Sequence, residues 1–263
     1  MRVLTDPVET GAVTLCLPQD TQAEAYDYPD YFLAKRIWHI DRRPLNKRSL
    51  NEAAIILSKA KKPLIIAGGG VHYSQAADTL RDFAETFSIP VGETQAGKSA
   101  MSWKDSMSVG AIGVTGTSAA NLIANDADVV LVVGSRLQDF TTASKQIFSP
   151  DVKLLHLNIS QYDALKMDSV ALQADAKSGL ESLKELLKIG GYQTSLEYRE
   201  RISQLQSEWN VEVDRLYQLT SEEGNVQTLI VGALNEFMVP EDVILCAAGS
   251  LPGDLHRLWR SEL

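Results

Sequence analysis

The sequence predicts an α/β protein organised around a doubly wound parallel sheet, and three observations predict it. Apolar runs without polar alternation, in Lys62–Val71, Asp128–Gly134 and Val152–Asn158, read as strands covered on both faces. Glycines close the first two, as Gly68, Gly69 and Gly70 and as Gly134, where backbone can approach a neighbour or ligand and positive φ costs little. Between the runs, apolar residues recur at helical spacing, and alternating strands and helices build parallel sheets with right-handed crossovers.

Taken in order, Gly11–Pro18 reads as a buried strand, and 19–46, rich in Asp, Tyr and Pro, as an extended connector. Ser49 to Glu52 has the form of a capping box opening a helix to Ala60, which Pro63 stops before the central strand. Ser74 is placed to cap a helix carrying Ala76, Leu80, Phe83, Ala84 and Phe87. Ile89–Gly92 begins a second strand leading to Thr94–Lys98, and Thr117 caps a helix after the glycines at 110, 113 and 116. Val170–Gln173 is a further strand, followed by a helix through Leu183, Leu186 and Leu187. Residues 195–220 predict a long polar helix with one apolar stripe (Leu196, Ile202, Leu205, Trp209, Val213, Leu216, Leu219) that connects domains. Asn225 then caps a helix that Pro240 ends, and Val243–Gly249 reads as one more buried strand. A buried-type strand at either end cannot cover its own faces, so both ends are expected to belong to larger α/β domains. The expected division is 1–48, 49–190, 191–224 and 225–263.

A net charge of −9 argues against a nucleic-acid or anionic-membrane partner, and no apolar run has the length of a membrane span. Cys16 and Cys246 each lie in an apolar run, which predicts reduced core thiols in a cytoplasmic protein and no metal site. Gly68–Gly70 before a helix invites phosphate, but a third glycine at dinucleotide-motif spacing is missing, so a structural turn is equally a reading. The four histidines (His39, His72, His156, His256) lack metal-ligand spacing and read as hydrogen-bonded structural residues. Asp139, Asp163 and Asp175 stand near strand ends, where they either hold ribose hydroxyls or cap turns and helices. Ser135 and Ser250 have no nucleophile-elbow context.

The wording of these motifs resembles the thiamine-diphosphate enzyme superfamily that includes acetohydroxyacid synthase. Gly11–Asp20 is similar to the end of its pyrimidine-binding domain. Pro63 to about Leu187, with Thr94–Lys98, Gly134–Arg136 and Gln173–Lys177, is similar to its central, DHS-like NAD/FAD-binding domain. Ala247–Asp254 is similar to the first loop of its diphosphate-binding domain. The flanking segments Leu17–Pro29, Arg36–His39 and Ala248–Trp259 are most similar to a branch that hydrolyses a carbon–carbon bond of a cyclic dione in myo-inositol catabolism.

That resemblance implies thiamine diphosphate and Mg2+ in a longer parent enzyme, a homo-oligomer (dimer or tetramer) with its active site between subunits, and the flanking domains as partners. It aligns Gly249, Ser250 and Leu251 with a loop approaching the cofactor diphosphate. The catalytic glutamate and the magnesium motif belong to parts of the family pattern not found here, so this chain alone is expected to bind no cofactor and to be inactive. Gly68, Gly69, Gly70, Thr94, Gly134, Arg136, Asp163 and Asp175 match or nearly match positions of the family's nucleotide crevice. Gln138 and Phe140, however, replace its acidic and basic residues, and Asn158 replaces an aspartate, which implies a vestigial crevice in place of an FAD site. The alternatives are a nucleotide-sensing module for FAD or ADP, or another synthase or decarboxylase of the superfamily.

Overall fold

The computed structural model describes every residue except Glu223, Asn225, Pro240 and Leu263. The caps expected from Asn225 and Pro240 therefore lie outside the described residues. By contacts the chain divides into residues 1–42 and 43–263.

The larger unit holds a six-stranded sheet, all parallel, of β1 (Pro63–Ala67), β2 (Val91–Glu93), β3 (Ser108–Ala111), β4 (Val129–Val133), β5 (Lys153–Asn158) and β6 (Val170–Gln173), in the order 3-2-1-4-5-6. Its helices of nine or more residues are α1 (Lys47–Leu57), α2 (Ala77–Phe87), α3 (Ser118–Asp126), α4 (Ala176–Ile189), α5 (Leu196–Tyr217), α6 (Gln227–Phe237) and α7 (Ser250–Leu258). Side chains alternate across a strand, so β1 sends Ile65 and Ala67 to one face and Leu64 and Ile66 to the other. The first pair joins Leu131, Leu155 and Leu172 against Leu57 of α1, Phe83 and Phe87 of α2 and Leu183 of α4. The second joins Val130, Val132 and Leu154 against Ile123 of α3 and Tyr198, Ile202 and Leu205 of α5. Burial on both faces is why these strands are apolar throughout. Tyr198 also donates its hydroxyl to the Pro63 carbonyl at 2.9 Å, tying α5 to the foot of β1.

Several sequence expectations are corrected. α1 is capped by Asn46, which accepts the Ser49 amide at 3.0 Å, so Ser49 sits inside the helix. Ser74 caps nothing at the start of α2. It follows a helical turn, Gly70–Tyr73, and its hydroxyl accepts the Ala176 amide at 3.3 Å. Residues 11–18 and 243–249 are not strands and, apart from half-buried Ile244, are exposed. An apolar run holds β geometry only beside a neighbour that completes its ladder, and neither run has one. Leu245 is 92% exposed, and Cys16 and Cys246 are exposed for the same reason instead of lying in a core.

Residues 1–42 contain three four-residue helical turns and no buried residue. Tyr26, Tyr28 and Phe32 form a small aromatic cluster there, with ring centroids 5.3 and 5.1 Å apart.

Candidate functional site

Between β1 and β4 the strand order reverses, and loops at the carboxyl edge diverge at such a switch point. The sheet gathers most of the sequence-predicted residues to this edge. Gly68–Gly70 follow β1, Thr94 follows β2, Gly134 and Arg136 follow β4, Asp163 lies beyond β5 and Asp175 beyond β6.

The glycines there are pressed against each other. A Cβ on Gly68 would lie 2.4 Å from the Gly134 carbonyl oxygen, and one on Gly134 would lie 2.5 Å from Gly70 Cα. Gly134 has φ +61°, which favours glycine independently. The Gly68 amide is donated to Val133 O at 2.8 Å and the Gly70 amide to Gly134 O at 2.9 Å. The Gly68 and Gly70 amides are thus committed to the end of β4 and the glycine after it, which weighs against a diphosphate cradle here.

The polar residues of the edge are also used locally. Thr94 Oγ1 accepts the Gly97 amide at 3.2 Å. Asp175 caps α4 by accepting the Ser178 amide at 3.2 Å. Asp163 pairs with Lys166 at 2.7 Å, and Lys166 also donates to the Arg136 carbonyl at 3.1 Å, leaving the Arg136 side chain exposed. Gln138 and Phe140 are exposed. In β5, His156 is fully buried and donates from Nε2 to Ser135 O at 2.7 Å, and Asn158 Nδ2 donates to the same oxygen at 2.8 Å. Both lone pairs of that carbonyl are therefore occupied. Burial holds His156 below the usual histidine range.

A second group at this edge, over β2 and β3, was not singled out by sequence reasoning: Glu93, Lys98 and Thr115. Glu93 ends β2 almost wholly buried, and its Oε1 accepts the Met101 amide at 2.9 Å. Desolvation raises its pKa, with Lys98 opposing. Desolvation lowers that of Lys98, with Glu93 opposing. His256 of α7 is buried beside them and donates Nε2–H to Glu93 O at 2.9 Å, while Nδ1 accepts the Thr115 hydroxyl at 2.9 Å. Burial first, then the Lys98 charge, brings His256 down to about 4. The signal available in the sequence was a carboxylate closing an otherwise apolar strand run, since such a residue is rarely buried without dedicated partners.

Lys98 and His256 line a cleft of about 960 Å³ bounded by the end of α5, by α6 and by α7. Gly249, Ser250 and Leu251, at the start of α7, are exposed, with Gly249 at φ +129°. Among the described residues no three His, Cys, Asp or Glu side chains converge as metal ligands. The loop therefore offers backbone amides and no carboxylate set, and by itself does not fit a magnesium diphosphate. Among the described residues no helix is long and apolar enough to cross a membrane.

Residues 50–185 match the family model described as thiamine pyrophosphate enzyme, central domain. Two proteins named 3D-(3,5/4)-trihydroxycyclohexane-1,2-dione hydrolase are similar to the chain. That of Clostridium tetani is 45% identical over 98% of this chain and 44% of its own length. That of Bacillus thuringiensis is 46% identical over 100% of this chain and 44% of its own length. The chain thus spans under half the length of these relatives. Together with the all-parallel, doubly wound sheet, the family match establishes that this chain belongs to the thiamine pyrophosphate enzymes and carries their central domain.

Proposed function

We propose that the chain is the scaffold portion of a thiamine-diphosphate-dependent hydrolase that opens the ring of 3D-(3,5/4)-trihydroxycyclohexane-1,2-dione by carbon–carbon cleavage, in the cytoplasmic breakdown of myo-inositol. One observation carries this reading: relatives bearing that name align with 98% and 100% of the chain at 45% and 46% identity. In this reading residues 1–48 end a pyrimidine-binding domain, 49–190 are the central domain, 191–224 link it onward, and 225–263 begin a diphosphate-binding domain. Gly249, Ser250 and Leu251 then approach the cofactor diphosphate in a complete homo-oligomeric enzyme, where further residues supply the Mg2+ ligands. The central sheet fixes the spacing between catalytic domains.

The test compares the full translation product of the locus with this 263-residue chain, each given thiamine diphosphate, Mg2+ and the dione. Ring opening, followed by NMR, is expected from the former and not from the latter. A full product that ignores the dione but condenses or decarboxylates 2-oxo acids would sink this reading in favour of another activity of the superfamily. The nucleotide-sensing alternative draws on the strand order, and the committed Gly68 and Gly70 amides weigh against it. Calorimetric titration with FAD, ADP and NAD checks it, micromolar binding being the result that revives it.

A further inference from the structure

Lys104, over the Trp103 ring, reaches the Glu262 carboxylate. The Lys98 ammonium, half-buried on the floor of the cleft, makes no hydrogen bond or ion pair with any described residue. Glu93, whose charge acts on it, spends Oε1 on the Met101 amide and forms no ion pair with Lys98.

The turn that presents Lys98 is held at three points. Thr94 Oγ1 caps it through the Gly97 amide at 3.2 Å. His72 donates Nε2–H to the Lys98 carbonyl at 2.9 Å, and Glu93 holds Met101 three residues on. Ser99, immediately after Lys98, has φ +73°, an unfavourable conformation for a residue with a side chain. Strain of this kind persists where the surroundings fix it and gathers at ligand clamps. His256, Gln95, Ser99 and Trp103 share the wall around the ammonium. An ammonium with no hydrogen-bond or ion-pair partner, on a turn held at three points and open to a cleft, is placed to take an anion.

We propose that Lys98 is an anion-binding residue that takes the carboxylate of a small polyhydroxylated acid in this cleft. The choice of acid rests on the function proposed above. Hydrolysis of a ring carbon–carbon bond adds the hydroxyl of water to the carbonyl carbon and a hydrogen to the carbon that departs. The new carboxylic acid then loses its proton. A neutral cyclic dione therefore becomes an open-chain anion, and a lone ammonium distinguishes the two.

The probes are D-glucuronate, an anionic sugar acid, and myo-inositol, a neutral polyol, applied to the 263-residue chain. Lysine acetylation read by mass spectrometry should slow at Lys98 with glucuronate and not with inositol. Calorimetry should show Lys98→Gln weakening glucuronate binding by roughly tenfold or more, the usual scale for a hydrogen bond to a charged group, and Lys98→Arg retaining it. Lys98→Gln removes no side-chain hydrogen bond or ion pair, and Lys98→Arg, which keeps the charge beside buried Glu93, controls for the electrostatic loss. Glucuronate that protects no lysine, or that binds Lys98→Gln as tightly, overturns the proposal. If the complete enzyme ignores cyclic diones while glucuronate still protects Lys98, the function falls and the anion site stands. If dione hydrolysis proceeds in Lys98→Gln with unchanged inhibition by glucuronate, the site falls and the function stands.

Discussion

His256 and Glu93, 163 residues apart, are joined by a single 2.9 Å hydrogen bond from the imidazole Nε2–H to the Glu93 backbone carbonyl, and this bond seats α7 on the end of β2. In this neutral tautomer the other ring nitrogen accepts from Thr115. Protonation would turn the Thr115 hydroxyl from donor to acceptor, and it is opposed by burial of the new charge and by the Lys98 cation nearby.

That tautomer makes stability pH-dependent. The folded pKa, about 4, lies below the ordinary value of 6.5. The unfolded chain therefore binds the proton first, and stability is full above 6.5 and lost as pH falls from there towards 4. The whole effect is of order 3 kcal/mol. Burial shifts His156 in the same direction and Glu93 in the opposite one, which partly offsets it. Urea unfolding at pH 7.5 and 5.0 should show a smaller loss in His256→Gln than in the parent chain, and equal losses would contradict the assignment.

Gly68→Ala and Gly134→Ala should each cost about 3 kcal/mol or more, because the added methyl meets backbone that cannot step aside. Gly11→Ala, where nothing lies within 4 Å, should stay within about 0.5 kcal/mol. Thermal melts of the three variants check this contrast.

Asn158→Asp restores the residue type that the family resemblance places there. It should destabilise by about 2–4 kcal/mol at neutral pH, since a carboxylate would face the Ser135 carbonyl now 2.8 Å from the amide nitrogen. Protonating the new carboxyl restores a donor, so the penalty should shrink as pH falls towards 5. Urea midpoints at both pH values measure it.

Ile202→Ala in α5 should cost about 2–5 kcal/mol, as Ile202 is fully buried against the sheet. Leu196→Ala, six residues earlier and 63% exposed, should cost about 0.5 kcal/mol or less. Equal losses in a denaturation series would mean that α5 does not pack as described.

The long elements were legible because each carries its own period. Ile65 and Leu131 lie in runs that only a doubly covered strand explains, and the Ile202–Leu205–Val213 stripe fits one helix face. Thr117 and Asp175 could be recognised as caps because a cap bonds within its own turn: Thr117 Oγ1 accepts the Ala120 amide at 2.9 Å. The cap of α1 lies at Asn46, three residues before the expected Ser49, and α2 follows Ala76 with no side-chain cap, the Ser74 hydroxyl being taken by the distant Ala176 amide.

The sequence by itself determined the parallel α/β architecture, the glycine turns after β1 and β4, and the likeness to thiamine-diphosphate enzymes, because periodicity, turn chemistry and motif wording are all local. Only the tertiary structure decided that Gly68, Gly70 and Gly134 are spent on one another, that residues 11–18 and 243–249 lack a ladder, that Lys98 and His256 line one cleft, and that His256 bonds the Glu93 carbonyl. Those outcomes depend on distances between residues far apart in the chain, and a pairing made across 163 residues leaves no trace in the spacing of either partner's neighbours.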